Sequence, residues 1–242
     1  MNINQILKDI KKNPLDSLIK DLAKKDKESI FSSDVQLFEE QYFFYVLTCE
    51  RLLREMSLSR RFRNGPHYSL KYGMAYTENE KKLAKKFHET KYYFDVDFAN
   101  FLIHSRILMD RTISLSKYFL SGKNLPSFDS FNRHKKFFLK QENVPYSSNA
   151  EYAKYIRENT AWFDDILKFA RDDVIVHAKR GWMKNFGLDF GPCEITMHII
   201  IPDKEKKLAK VEHKSISVID LIKEVRTFLC FFSSCRPHKN IS

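Results

Sequence analysis

Apolar residues recur at three- and four-residue intervals along most of the chain, the spacing of amphipathic helices. Ile3, Ile6, Leu7 and Ile10 form one short stripe. Leu15, Leu18, Ile19 and Leu22 form a second, with Asn13-Pro14 between them as the break. Ser33-Asp34 is a capping signal for a stronger helix to about Met56. Its stripe of Leu37, Phe44, Leu47 and Leu52, widened by Phe43 and Val46, reads as core. Glu78 to about Tyr92 reads as a charged, solvated helix, and Asp95 or Asp97 as the start of another running to Leu120. That helix carries Phe98, Leu102, Leu108, Ile113, Leu115 and Phe119, with Gly122 as its stop.

Pro126 opens a short phenylalanine-rich segment to Lys140, and Asn143-Val144-Pro145 marks the next loop. One long helix is then expected from Asn149 to Ala170. The pattern changes period only once. Ile195, Met197, Ile199 and Ile201 alternate with Thr196, His198 and Ile200 up to Pro202, and a charged turn leads into Leu208 and Val211. This predicts a β-hairpin over about 194–213, docked on helices because an isolated hairpin is marginal. A closing helix spans Val218 to Ser234, with Val218, Leu221, Ile222, Val225, Leu229 and Phe232 on its apolar face. The expected architecture is mainly α: a helical bundle at 34–236 with one small hairpin near its C-terminal end. A helical extension at 1–33 precedes it and a tail at 237–242 follows.

Composition sharpens this picture. The 242 residues suffice for one ordinary domain, and six glycines with seven prolines favour long helices over a turn-rich β fold. Lys plus Arg outnumber Asp plus Glu by 42 to 31, and a net charge of +11 favours phosphate-rich partners. Cys49, Cys193, Cys230 and Cys235 show no paired framework and read as reduced thiols of a cytoplasmic protein. Met1 to Lys12 mixes charge into its apolar positions, unlike a signal peptide. No apolar run approaches the roughly 20 residues of a membrane helix. Cys193, His198 and His213 lack the spacing of a zinc site, and His104 and Asp110 have no metal-ligand partner at useful distance in sequence. No metal or cofactor is expected.

Two stretches carry candidate chemistry. Between Ser57 and Thr77 the period breaks, and Arg60, Arg61 and Arg63 precede Asn64-Gly65-Pro66, His67, Tyr68, Lys71 and Tyr72. Cations interleaved with aromatics suit phosphate contact and base stacking in RNA. The alternative is a surface loop whose aromatics cover a helix end. The second stretch is Arg171-Asp172-Asp173-Val174-Ile175-Val176-His177, followed by Lys179 and Arg180. An arginine can hold a phosphate in a fork, and an imidazole titrates near working pH. RNA brings its own nucleophile, the 2′-OH, so a base, an acid and a cation suffice for cleavage. Six steps of about 100° put Arg171 and His177 roughly 240° apart on a regular helix. Either the helix bends within the stretch or two copies combine across a dimer. A surface Arg–Asp pair with a histidine at a helix interface is the structural alternative.

Arg171 through His177 resembles the Arg-x(4–6)-His motif of the HEPN superfamily, with Asp172 in the place where that family prefers a polar residue. Ser105-Arg106-Ile107-Leu108-Met109-Asp110-Arg111 resembles the second core helix of some bacterial HEPN-like proteins. The similarity covers residues 34–236. It implies an all-helical homodimer whose paired motifs form a metal-independent ribonuclease site, with Arg171, Asp172 and His177 as site residues. It also implies a toxin–antitoxin or phage-defence role, with an antitoxin protein as partner. The hairpin is an insertion relative to a minimal core. Some family members have lost catalysis, so an RNA- or protein-binding dimer is the alternative function.

Overall fold

The computed structural model describes residues 3–24, 29–63, 77–120, 128–140, 150–168, 186–190, 195–201 and 212–235. The protein is mainly helical. In order it forms α1 (Ile3–Ile10), α2 (Asp16–Ala23), α3 (Ser29–Arg63), α4 (Glu78–Ser114) and a 3₁₀ turn (Leu115–Tyr118). Then come α5 (Phe131–Leu139), α6 (Ala150–Asn159), a π-helical turn (Phe163–Lys168), strands β1 (Phe186–Phe190), β2 (Ile195–Ile201) and β3 (Glu212–Ser217), and α7 (Val218–Ser234).

The frame is the pair α3 and α4, of 35 and 37 residues, about 53 and 56 Å long at 1.5 Å per residue. They run antiparallel: Tyr118 meets Phe31 at one end, Tyr45 meets Phe101 midway, and Arg51 reaches Asp97 further along. The two helices expected between Glu78 and Leu120 are therefore one. Its start is set by a capping box, in which the Thr77 side chain accepts from the Glu80 amide and the Glu80 carboxylate accepts from the Thr77 amide. Asp97, expected as a cap, lies inside the helix and is buried against Arg51. Asp34 is likewise interior to α3. It accepts the Tyr118 hydroxyl at 2.7 Å and pairs with Lys117 at 2.7 Å, fastening the first turns of α3 to the 3₁₀ turn that follows α4.

The expected core stripe of α3 holds at Leu52, which is buried, and at Val46, which packs against the core, but not at its other four positions. Leu37, Phe43, Phe44 and Leu47 are exposed, whereas Phe38, Tyr42, Tyr45, Cys49 and Leu52 are buried. Both faces are apolar enough to go inside, and hydroxyl partners decide between them. The Tyr42 hydroxyl lies 2.7 Å from the Ile10 carbonyl and 2.8 Å from that of Lys12, and the Tyr45 hydroxyl reaches the Ile222 carbonyl at 3.4 Å. Two tyrosines that would be costly inside without partners thereby become core residues. Arg226 donates to the Asp9 carbonyl, so α7 and α3 together satisfy the open C-terminal carbonyls of α1.

The α7 helix is as expected, with Val218, Leu221, Ile222, Val225, Leu229 and Phe232 all buried. It closes the core by edge-to-face contacts of Phe228 with Phe131 and of Phe232 with Phe119. Residues of α1 and α2 (Ile10, Leu15, Leu18, Ile19 and Leu22) join the same hydrophobic cluster. The β region holds three strands in the order β1-β2-β3, both pairings antiparallel, one strand more than the expected hairpin. β2 sets Phe186 opposite Ile199 and Ser217 opposite Thr196. β3 ends at Ser217, whose hydroxyl accepts from the Ile219 amide and caps α7.

Candidate functional site

Residues 149–170 do not form one helix. The α6 helix ends at Asn159, and a π-helical turn follows from Phe163 to Lys168, three residues before Arg171. Side chains donate to three carbonyls at this break. The Thr160 hydroxyl donates to the Ile156 carbonyl at 2.5 Å, and the Trp162 indole donates to that of Asn159 at 2.9 Å. Lys135 of α5 donates to the Thr160 carbonyl at 2.6 Å. Thr, Trp and Lys at these positions thus make a sharp helix end affordable inside the protein.

Around this break lies a partly buried polar cluster drawn from α4, α5 and the π turn. Lys135 is also paired with Asp164 at 2.6 Å, and Lys168 stands 3.9 Å from the same carboxylate. The Arg106 guanidinium lies 4.5 Å from the centre of the Phe163 ring and 3.4 Å from the Asp110 carboxylate. Asp110 in turn accepts the Phe131 amide at 2.7 Å, satisfying the first open N–H of α5. The Arg106-to-Asp110 stretch of α4 therefore acts as a bracket: one end presses on Phe163 and the other holds α5.

His134 sits beside this cluster, fully buried, with Nε2 2.8 Å from the Tyr152 hydroxyl. Burial pushes its pKa down to about 3, so the ring is neutral at working pH. It is a core histidine and cannot shuttle protons near neutrality. His104 of α4 is also held below its ordinary value by burial. It accepts Gln41 Nε2 on Nδ1 at 3.0 Å and stacks on Phe44. A half-buried carboxyl group, that of Glu55 on α3, lies against the buried Asp97 of α4. Burial, then a hydrogen bond and the charge of Asp97, raise Glu55 to about 8, while Arg51 Nε donates to Asp97 at 2.9 Å. Glu55 therefore keeps its proton at neutral pH. Among the described residues, no group of three or more His, Cys, Asp or Glu could hold a metal ion.

Arg60, Arg61 and Arg63 belong to the last turns of α3, which continues past Met56, rather than to a loop. Positively charged residues favour a helix C-terminus through its dipole, which accounts for the extension. Arg171, Asp172, His177, Lys179 and Arg180 lie outside the described residues, as do His67, Tyr68, Lys71, Tyr72 and Cys193. The structure therefore brings together residues that sequence reasoning did not connect: Arg106, Asp110, Lys135 and Asp164. Asp164 sits within the helical pattern of 149–170 without a charge partner at helical spacing except Lys168, and Lys135 reads in sequence as one of several surface lysines. Only the fold brings them together. The cluster holds its charges in close pairs, and the histidine beside it is neutral. Among the described residues no helix is long and apolar enough to cross a membrane. No family model, curated protein or solved structure matches the chain.

Proposed function

We propose that the protein is a homodimeric, cytoplasmic endoribonuclease of the HEPN type, cutting RNA without a metal ion in a toxin–antitoxin or phage-defence setting. One observation carries the reading: Arg171 and His177, six positions apart with Asp172 after the arginine, follow directly on a helical segment pinned at Lys135–Asp164 and Arg106–Phe163. That segment is wound as a π turn up to Lys168, so regular 100° steps do not govern the approach to the motif.

In the proposed reaction the 2′-OH attacks the adjacent phosphorus while a neutral His177 takes its proton. The bond from phosphorus to the 5′ oxygen breaks, and a protonated imidazole gives its proton to that oxygen. The products are a 2′,3′-cyclic phosphate and a free 5′-OH. One chain supplies one such histidine, and a dimer supplies the second, so base and acid come from different copies. Arg171 forks the phosphate and stabilises the charge that grows on it, and Asp172 orients Arg171. Lys179, Arg180, Arg60, Arg61 and Arg63 would hold the RNA backbone. An antitoxin protein would be the controlling partner.

A second reading, an RNA- or protein-binding dimer without catalysis, is favoured by the net charge of +11, which needs no chemistry to attract a polyanion. Incubation of mixed RNAs with purified protein in EDTA, beside an identically prepared His177→Ala variant, separates the two. Cyclic-phosphate ends from the wild type alone support the enzyme. Salt-sensitive binding with no product from either protein supports the binding module. Equal cleavage by both rejects the role given to His177. Arg171→Ala should lower kcat more than it weakens RNA binding, and equal losses would mark Arg171 as a binding residue.

A further inference from the structure

The α3 face that the core does not use is large, apolar and ordered in charge. Phe43 is 62% exposed, Leu47 43%, Phe44 38% and Leu37 37%. On α4, Tyr93 and Val96 are each 59% exposed. These residues flank one seam, because Phe44 stacks on His104 and Arg51 reaches Asp97 on the same side of the helix pair. From Leu37 to Arg54 the stripe is about 26 Å long at 1.5 Å per residue. With α4 alongside at about 10 Å, its face is on the order of 500 Å². A patch of that size on a water-facing helix pair marks an interaction surface.

The charge order identifies the occupant. Leu37, Glu40, Phe44, Leu47, Arg51 and Arg54 follow one another in alternating steps of three and four, the seam spacing of paired helices. Acid lies in the first half of this stripe and base in the second, with Phe44 and Leu47 between. The four inner positions, Glu40, Phe44, Leu47 and Arg51, are their own complement when a second copy is laid across them antiparallel. A two-fold axis between Phe44 and Leu47 sets Phe44 against the second copy's Leu47, and Glu40 against its Arg51. The Arg51 side chain is 55% exposed although its Nε is held by Asp97, so its guanidinium remains accessible there. Glu40 is exposed as well. A protein of unrelated sequence would have no reason to mirror this order, whereas an isologous contact requires it.

We infer that α3 pairs antiparallel with α3 of a second copy, through Phe43, Phe44 and Leu47 at the centre and Glu40 against Arg51 at the flanks. The inference does not depend on the ribonuclease reading, since mass rather than cleavage is measured. Analytical ultracentrifugation of the full chain should give a dimer at micromolar concentration. The double variant Phe43→Glu, Leu47→Glu should be monomeric, with unchanged circular dichroism because both side chains already face water. Glu40→Arg places like charges opposite one another and should raise the dimer Kd about tenfold or more, with a smaller rise in high salt. A wild type that stays monomeric to about 100 µM overturns the pairing and leaves the face to another partner. A double variant that stays dimeric, or a Glu40→Arg variant with unchanged Kd, overturns the assigned surface and register. Should the double variant lose its helical signal, Glu40→Arg alone decides. Dimers without RNA cleavage, or cleavage by the monomeric variant, would separate this inference from the proposed reaction.

Discussion

The pair Lys135–Asp164 predicts an asymmetry between its two partners. The Lys135 side chain is 6% exposed and that of Asp164 is 38% exposed. Replacing Asp164 with Ala leaves an ammonium inside the protein with the Thr160 carbonyl as its remaining partner in the cluster. Stranding a buried charge costs about 3–5 kcal/mol. Water already screens the half-open carboxylate, so the expected loss is smaller, about 1.5–3 kcal/mol. Replacing Lys135 with Met strands nothing of that kind, because the Asp164 carboxylate can hydrate. What is lost is the charge-assisted bond to the Thr160 carbonyl, about 1.5 kcal/mol, and a half-exposed ion pair worth up to about 1 kcal/mol, partly offset by the packing of the Met side chain, for a net cost of about 1 kcal/mol. The double variant should then be more stable than Asp164→Ala alone, since the stranded charge is gone. Urea unfolding followed by circular dichroism at neutral pH measures all three. Equal single-variant costs, or a double variant at the sum of the two, would refute the reasoning.

Two further predictions concern protons. His134 is neutral when folded, with a pKa of about 3 against roughly 6.5 unfolded, so the unfolded chain binds the extra proton on acidification. Its contribution is complete above about pH 6.5 and falls by up to about 1.4 kcal/mol per pH unit below that. Denaturant unfolding at about pH 4.5 should show a loss of roughly 2–3 kcal/mol relative to neutral pH that His134→Leu lacks; identical pH slopes in the two proteins would sink the assignment. Glu55 works in the opposite sense, because its folded pKa of about 8 lies above the carboxylate value, so the folded state holds the extra proton. Its contribution is intact at low pH and is lost as pH rises from about 4.5 through about 8. Glu55→Gln should therefore raise Tm relative to the wild type on the alkaline side, and a constant Tm difference across pH would refute the proton assignment.

Helix content and the α7 face are legible in sequence, because a single apolar stripe with polar flanks admits one orientation. The α3 helix is not, since apolar side chains surround more than half of it. The choice between Leu37–Phe44–Leu47 and Phe38–Tyr42–Tyr45 depends on carbonyls of α1 and α7, far away in sequence. A similar limit hides the break after Asn159. Thr160 and Trp162 are the local signal, but the donor that completes it, Lys135, comes from another helix. β1 carries a readable alternation of Phe186, Leu188 and Phe190, masked by Gly187. The motif residues Arg171 and His177 stand out by chemistry alone, while the pairing of Asp164 with Lys135 becomes visible only through folding.

The placement of α7 sets the timing of assembly. Tyr45 waits for the Ile222 carbonyl, and the Asp9 carbonyl at the end of α1 waits for Arg226, 217 positions beyond it. At a synthesis rate of about 5–20 residues per second, a growing chain spends roughly ten to thirty seconds with Tyr45 made and Ile222 still missing. Throughout that time Tyr45 lacks the helix that partners it, and so does Phe131 once it has been made. Fragments released early would present this aromatic surface to chaperones and proteases, and only chains that have acquired α7 can withdraw it.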